Sequence, residues 1–153
     1  MAYLSSQNIW RAFVAQLRSN ATLRAALTGG IHEGIAADAA PYPLLVWMPV
    51  VPGVKEDTWN SRIIVALGDA VVVSRSSVEA NNLDQLVLET LDEASLGVIG
   101  QSSLICHRVA DIRLTDSDEE GRRLYRAGGS YEIWTSQVEG VREHRFAADA
   151  VIA

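Results

Sequence analysis

Between residues 9 and 17 a large apolar side chain recurs at every fourth position: Ile9, Phe13 and Leu17. Trp10 and Val14 widen the same stripe, so the stretch reads as an amphipathic helix with one face for a core. Ser5 stands where an N-cap belongs, and Leu4 and Ile9 then take the two positions of a hydrophobic staple. Asn20 offers a second cap, which makes "NATLRAAL" a short helix buried through Leu23 and Leu27. Gly29-Gly30 is expected to stop it, because glycine tolerates the left-handed conformation past a helix end.

The pattern then changes period. A short strand-like crossing at Ile31 to Ile35 leads through Pro41-Tyr42-Pro43 into "PLLVWMPVV", an apolar run of strand length. Pro49 lacks a ladder donor, which predicts an edge position or a bulge there. Pro52-Gly53 reads as a turn and "VKEDTWN" as a polar connector carrying Trp59. "SRIIVAL" and "AVVVSR" read as two strands joined by a tight turn at Gly68-Asp69.

Ser76-Ser77-Val78-Glu79 has the spacing of a capping box. The helix it opens places Leu83, Leu86, Val87, Leu91 and Ala94 on one face, puts Asp84, Gln85, Glu89, Asp92 and Glu93 mostly away from it, and is expected to end near Gly97. Two long strands, "SLICHRVADIRLT" and "RRLYRAGGSYEIWTS", flank the acidic turn "DSDEEG". In the second, Tyr131, Ile133 and Thr135 alternate with Glu132, Trp134 and Ser136, the period of a half-buried strand. Gly128-Gly129 predicts a bulge or bend. Periodicity lapses at Val138, so residues 138–153 read as a flexible arm that orders against a partner. Helices, hairpins and the lack of a βαβ series together predict an α+β fold: an antiparallel, mostly hairpin-connected sheet with helices packed on one face. Residues 1–137 form its single domain and residues 138–153 the C-terminal arm.

Composition narrows the function more than the fold. The chain has 153 residues, 48% hydrophobic and 21% charged, which suits one globular domain. The single cysteine, Cys106, has no internal disulfide partner, and no apolar stretch is long enough to span a bilayer. A soluble chain made in the cytoplasm, without a membrane partner, is the expectation. Net charge is −6, and Lys55 is the only lysine among 13 basic residues. That balance disfavours a phosphate-gripping surface, since non-specific nucleic-acid affinity comes mainly from clustered cations. Arg122, Arg123 and Arg126 directly follow Asp116, Asp118, Glu119 and Glu120, the pattern of a self-compensating hairpin tip.

Chemistry-bearing constellations are few. Alternating carboxylates such as Asp116 and Asp118 can bind a hard cation, but the run lacks calcium-loop spacing. His32, His107 and His144 are far apart, and none stands at metal-ligand spacing with Cys106. Cys106 and His107 are adjacent on a strand and so point to opposite faces. No nucleophile elbow, P-loop or dinucleotide fingerprint occurs. The residues read as those of a non-enzyme, with no catalytic residue, metal, cofactor or small-molecule substrate expected.

The order of elements carries a resemblance. An opening helix pair ends in "LRAALTGGIHEGIAADAAPYPLLVW", followed by a hairpin region, the helix "SSVEANNLDQLVLETLDEA" and two late strands ending in "YEIWTS". This series resembles the tail terminator (tail completion) proteins of long-tailed bacteriophages, with Ile31, Pro41, Tyr42 and Pro43 at the family's short strand and entry to the first long strand. It covers roughly Ile9 to Ser136. The resemblance implies a virion protein of the viral tail and neck, a homohexameric ring that caps the tail tube, stops tail polymerisation and joins the tail to the head-side connector. Its partners would be copies of itself, the tail tube protein and the head-side connector or stopper, with DNA passing through the channel without specific binding. Acidic net charge suits such a channel. Candidate interface residues are Pro49, Trp59, Asp116, Asp118, Glu119, Glu120, Arg122, Arg142, Arg145 and Phe146. Trp134 reads as either core or contact. The alternatives are another neck protein, a head-tail stopper or head-completion protein, whose plugging loop would have to be "DSDEEG", and, remotely, a metal-dependent enzyme using residues 116–120.

Overall fold

A computed structural model describes residues 6–36, 40–57, 62–99 and 102–136. The elements are α1 (Ser6–Ser19), α2 (Ala21–Ala26), β1 (Ile31–Glu33), β2 (Leu44–Asp57), β3 (Arg62–Ser74), α3 (Ser77–Leu91), β4 (Ala94–Ile99), β5 (Ser102–Ser117) and β6 (Arg123–Ser136). Among the described residues one six-stranded sheet has the order β1-β2-β3-β6-β5-β4. Its pairings are antiparallel except that β1 runs parallel to β2. The fold is α+β, as the patterning predicts.

The α1 stripe behaves as its spacing requires: Ile9, Trp10, Phe13 and Leu17 are all buried. They meet Leu23 of α2, Leu83, Val87 and Leu91 of α3, and the sheet positions Leu45, Trp47, Ala70, Val72, Cys106, Tyr131 and Ile133. Those sheet positions alternate along their strands, so all three helices lie on one face. Trp10 stacks on Trp47 with ring centroids 5.6 Å apart, and Phe13 meets the edge of Tyr131 at 6.1 Å. Each large side chain buried here contributes roughly 1.5–3 kcal/mol.

The helix ends are set locally. Asn20 caps α2, its side chain accepting from the Leu23 N–H at 3.0 Å. Ser76 caps α3 and accepts from the Glu79 N–H at 3.3 Å. The expected reciprocal bond is rerouted: the Ser76 N–H donates to Ser74 Oγ, which donates to Glu79 Oε1 at 2.6 Å. Ser5 and Leu4 lie outside the described residues. The pair Gly29-Gly30 does more than stop a helix. Gly30 has φ +82°, whereas a Cβ on Gly29 would run into the Pro41 carbonyl. The Gly29 N–H donates to the Pro43 carbonyl (2.9 Å) and Thr28 Oγ1 to the Tyr42 carbonyl (3.1 Å). The two prolines therefore dock the strand entrance onto the α2–β1 turn. Tyr42, Ala36 and Ala40 pack with Leu44, Val73 and Leu124 as a second cluster, on the sheet face opposite the helices.

Several expectations are overturned. Pro52-Gly53 does not turn the chain; β2 continues to Asp57, absorbing its irregularities as register shifts at Pro49/Val51 and Pro52/Lys55. Gly68-Asp69 is no hairpin but the middle of β3, paired with Pro49 and Met48 on one side and Tyr131 and Ser130 on the other. Its glycine is required because a Cβ there would strike the Trp10 ring. Gly128-Gly129 keeps regular register with β3 and β5, and both glycines serve close approach, to the Ala70 carbonyl and to Arg108. The third helix ends at Leu91, and Ala94 and Gly97 belong to β4, which Gly97 enters at a register shift. The bulge expected at Pro49 is present. β1 covers β2 only from Leu45 to Trp47, so Pro49 stands just beyond that parallel partner.

Candidate functional site

The β5–β6 tip is built from its carboxylates. Asp118 Oδ1 accepts the backbone N–H groups of Glu120 (3.0 Å) and Arg122 (2.8 Å), wrapping the turn around one side chain. Gly121 completes it at φ +78°. Asp118 Oδ2 takes Arg75 Nη1 at 2.7 Å and Arg122 Nε at 3.1 Å. Partial desolvation of Asp118 opposes ionisation, but the Arg75 bond and the two N–H donors outweigh it and hold the carboxyl down at about 2. Arg122 also pairs with Glu120 (2.8 Å), and Arg126 with Asp116 (3.6 Å). The Arg75 guanidinium lies 4.8 Å from the centroid of the Tyr42 ring. Arg75 follows β3 directly, so it ties the tip to the strand entrance and to the start of α3. An open cleft of about 600 Å³ between these parts is lined by Tyr42, Arg75, Asp118, Arg122 and Arg126.

Asp116, Asp118, Glu119, Glu120 and Arg122 thus form one surface, as the self-compensating tip requires. Pro49 is not part of it. It registers through Gly68 with Tyr131, eight residues along β6 from Arg123, which is about 27 Å at strand spacing. There it lines a separate open groove of about 880 Å³ along α1, with Trp10, Val14 and Trp47 as its apolar part and Gln7, Arg11, Ala15, Arg18 and Glu33 around it. Trp59, Arg142, Arg145 and Phe146 lie outside the described residues. Trp134 resolves to the sheet face away from the helices, half-buried against His107 at 5.0 Å and donating to Glu132 at 2.9 Å.

A third cluster went unread in the sequence. Asp84, assigned to the outer face of its helix, is buried between Arg108 (2.5 Å) and Arg113 (2.9 Å) of β5. Burial works against the charged guanidinium of Arg108, yet the Asp84 carboxylate more than offsets it and holds the Arg108 pKa above its ordinary value. The Arg108 side chain also lies 5.3 Å from the Tyr131 ring centroid, and burial pushes the Tyr131 phenol up. Nearby, Asp92 accepts the Arg108 N–H at 2.8 Å and approaches His107 Nδ1 at 3.2 Å. Cys106 faces the core, where burial and then Asp92 raise its thiol to about 12, so it has no nucleophilic character at neutral pH. A signal for Asp84 existed: Ala80, Asp84, Val87 and Leu91 fall at i, i+4, i+7 and i+11, one stripe of a helix. Among the described residues no three His, Cys, Asp or Glu side chains converge to hold a metal, and no helix is long and apolar enough to cross a membrane.

No protein-family model matches the chain, and no curated protein matches it by sequence. Solved structures do match. The chain is similar to one in the structure described as the virion of native gene transfer agent (GTA) particle, with a TM-score of 0.61 over 82% of this chain and 93% of that one. The likeness is one of fold. Identity is 14%, so the shared quantity is the arrangement of elements and not a set of side chains.

Proposed function

We propose that the chain is a structural protein of a phage-like particle and, within that class, a tail terminator. It forms a ring of six subunits on the last ring of the tail tube, halts tube growth and presents a surface to the head-side connector, while DNA passes through without specific binding. The observation that supports this reading is the fold shared with a GTA virion chain over nearly all of that chain's length, joined to the element order that resembles the terminator family. The residues suit assembly better than catalysis: the charged tip is internally neutralised, the cysteine is inert and the buried Asp84 cluster joins α3 to the sheet. The chain is accordingly read as a non-enzyme.

The tip also bears on the rival neck role. A stopper needs a loop free to plug a channel, whereas "DSDEEG" is pinned through Asp118 to Arg75 and Arg122. The deciding experiment mixes the protein with tubes assembled from the matching tail-tube protein and images them by negative stain. Caps at one end and arrested growth are expected. Bare ends with unchanged length would refute the terminator reading and favour a head-side position.

A further inference from the structure

The groove along α1 has an apolar floor, a charged rim and no covering layer among the described residues. It follows the helix from Gln7 to Arg18, with Trp47 and Pro49 of β2 opposite. Arg11 and Arg18 line the helix side, and Glu33 of β1 the other. The chain carries a segment of matching chemistry beyond β6. Residues 145–153 read "RFAADAVIA": a cation, then Phe146, Val151 and Ile152 around a single acid, Asp149.

We propose that residues 146–153 of the same chain dock in this groove, with Phe146, Val151 and Ile152 against Trp10, Val14 and Pro49. Asp149 faces Arg11 and Arg18, and Arg145 faces Glu33. Lengths permit it. Eight extended residues span about 26 Å and the 14-residue α1 about 21 Å. Ser136 and Tyr131 are five residues apart on β6, and Pro49 lies two strands over, so the groove starts roughly 20 Å from the end of β6. Residues 137–145 reach up to about 30 Å. A tether of that length supplies a local concentration on the order of millimolar, which favours the chain's own segment over a second copy at micromolar protein. The proposal does not depend on the ring reading, because it concerns the isolated subunit.

Engineered cysteines test it in the full-length protein. Ala15 lies exposed in the groove, and Cys106 is fully buried and stays out of exchange. An Ala15→Cys/Ala150→Cys variant, oxidised mildly when dilute, is expected to form an intrachain disulfide about ten-fold faster than Glu119→Cys/Ala150→Cys, whose partner lies at the hairpin tip. Asp149→Arg should slow that cross-link, and adding Arg18→Glu should restore it. Equal rates for the two cysteine pairs, or a rate indifferent to Asp149→Arg, would overturn the proposal. Disulfide-linked dimers as the main product would assign the groove to a second copy and overturn it too. Faster pairing of Ala15→Cys with Tyr3→Cys would give the groove to the N-terminal segment instead, with the same consequence.

Discussion

Replacing Asp84 with alanine is the sharpest perturbation of this fold. The Asp84 side chain is 2% exposed and its partner Arg108 is 7% exposed, so the pair sits in the interior. Removing the carboxylate leaves a largely buried guanidinium without its closest partner, with the exposed Asp111 at 3.5 Å as its remaining ion-pair contact. Breaking a buried pair from one side costs about 3–5 kcal/mol. Against a total stability of roughly 5–15 kcal/mol that is a large fraction, and it corresponds to a fall in Tm of about 6–20 °C for a domain of this size. Arg113, 47% exposed, can hydrate when its partner is lost, so Arg113→Ala should cost no more than about 1 kcal/mol. Removing both buried charges, as in Asp84→Leu with Arg108→Met, should recover most of the loss, because the charges left without these partners, Asp111 and Arg113, are exposed and can hydrate. Urea and thermal unfolding followed by circular dichroism measure all four chains. An Asp84→Ala cost below about 1 kcal/mol, or a double variant no better than the single, would refute the reasoning from buried, unpaired charge.

Other outcomes follow from the same geometry. Gly68→Ala should destabilise by about 1–3 kcal/mol, as its Cβ displaces the Trp10 ring, and near-ultraviolet dichroism should report the loss of tryptophan packing. Asp118 titrates at about 2 when folded against an ordinary 3.8, so its stabilisation is full above roughly pH 4 and fades as pH falls through 2. Arg75→Ala should raise that carboxyl toward its ordinary value, measured by NMR titration of Asp118; an unchanged midpoint would remove Arg75 as a cause. Deleting residues 138–153 should leave a folded monomer, since β6 ends at Ser136, while weakening capping of tail tubes; a truncated chain without cooperative unfolding would contradict this.

What could be read from the sequence was local. The α1 stripe, the Asn20 and Ser76 caps, the Tyr131–Ile133–Thr135 alternation and the hairpin tip each depend on residues within a turn or a strand of one another. The same holds for the misfit at Pro49, which a missing N–H creates wherever the strand goes. Tertiary structure decided the rest, because the deciding atom came from elsewhere in the chain. Gly68-Asp69 has the chemistry of a tight turn, yet it lies in a continuous strand paired on both sides, and the glycine is there because Trp10, 58 positions earlier, needs the space a Cβ would fill. Gly29 answers to Pro41, and Gly129 to Arg108. Asp84 lies on the apolar stripe of its helix and is buried there because two arginines of a later strand neutralise it. The parallel β1–β2 pairing likewise depends on how the α2–β1 turn docks against the two prolines. Local propensity sets which elements form, and packing across the sheet determines which glycines bend the chain and which charges enter the core.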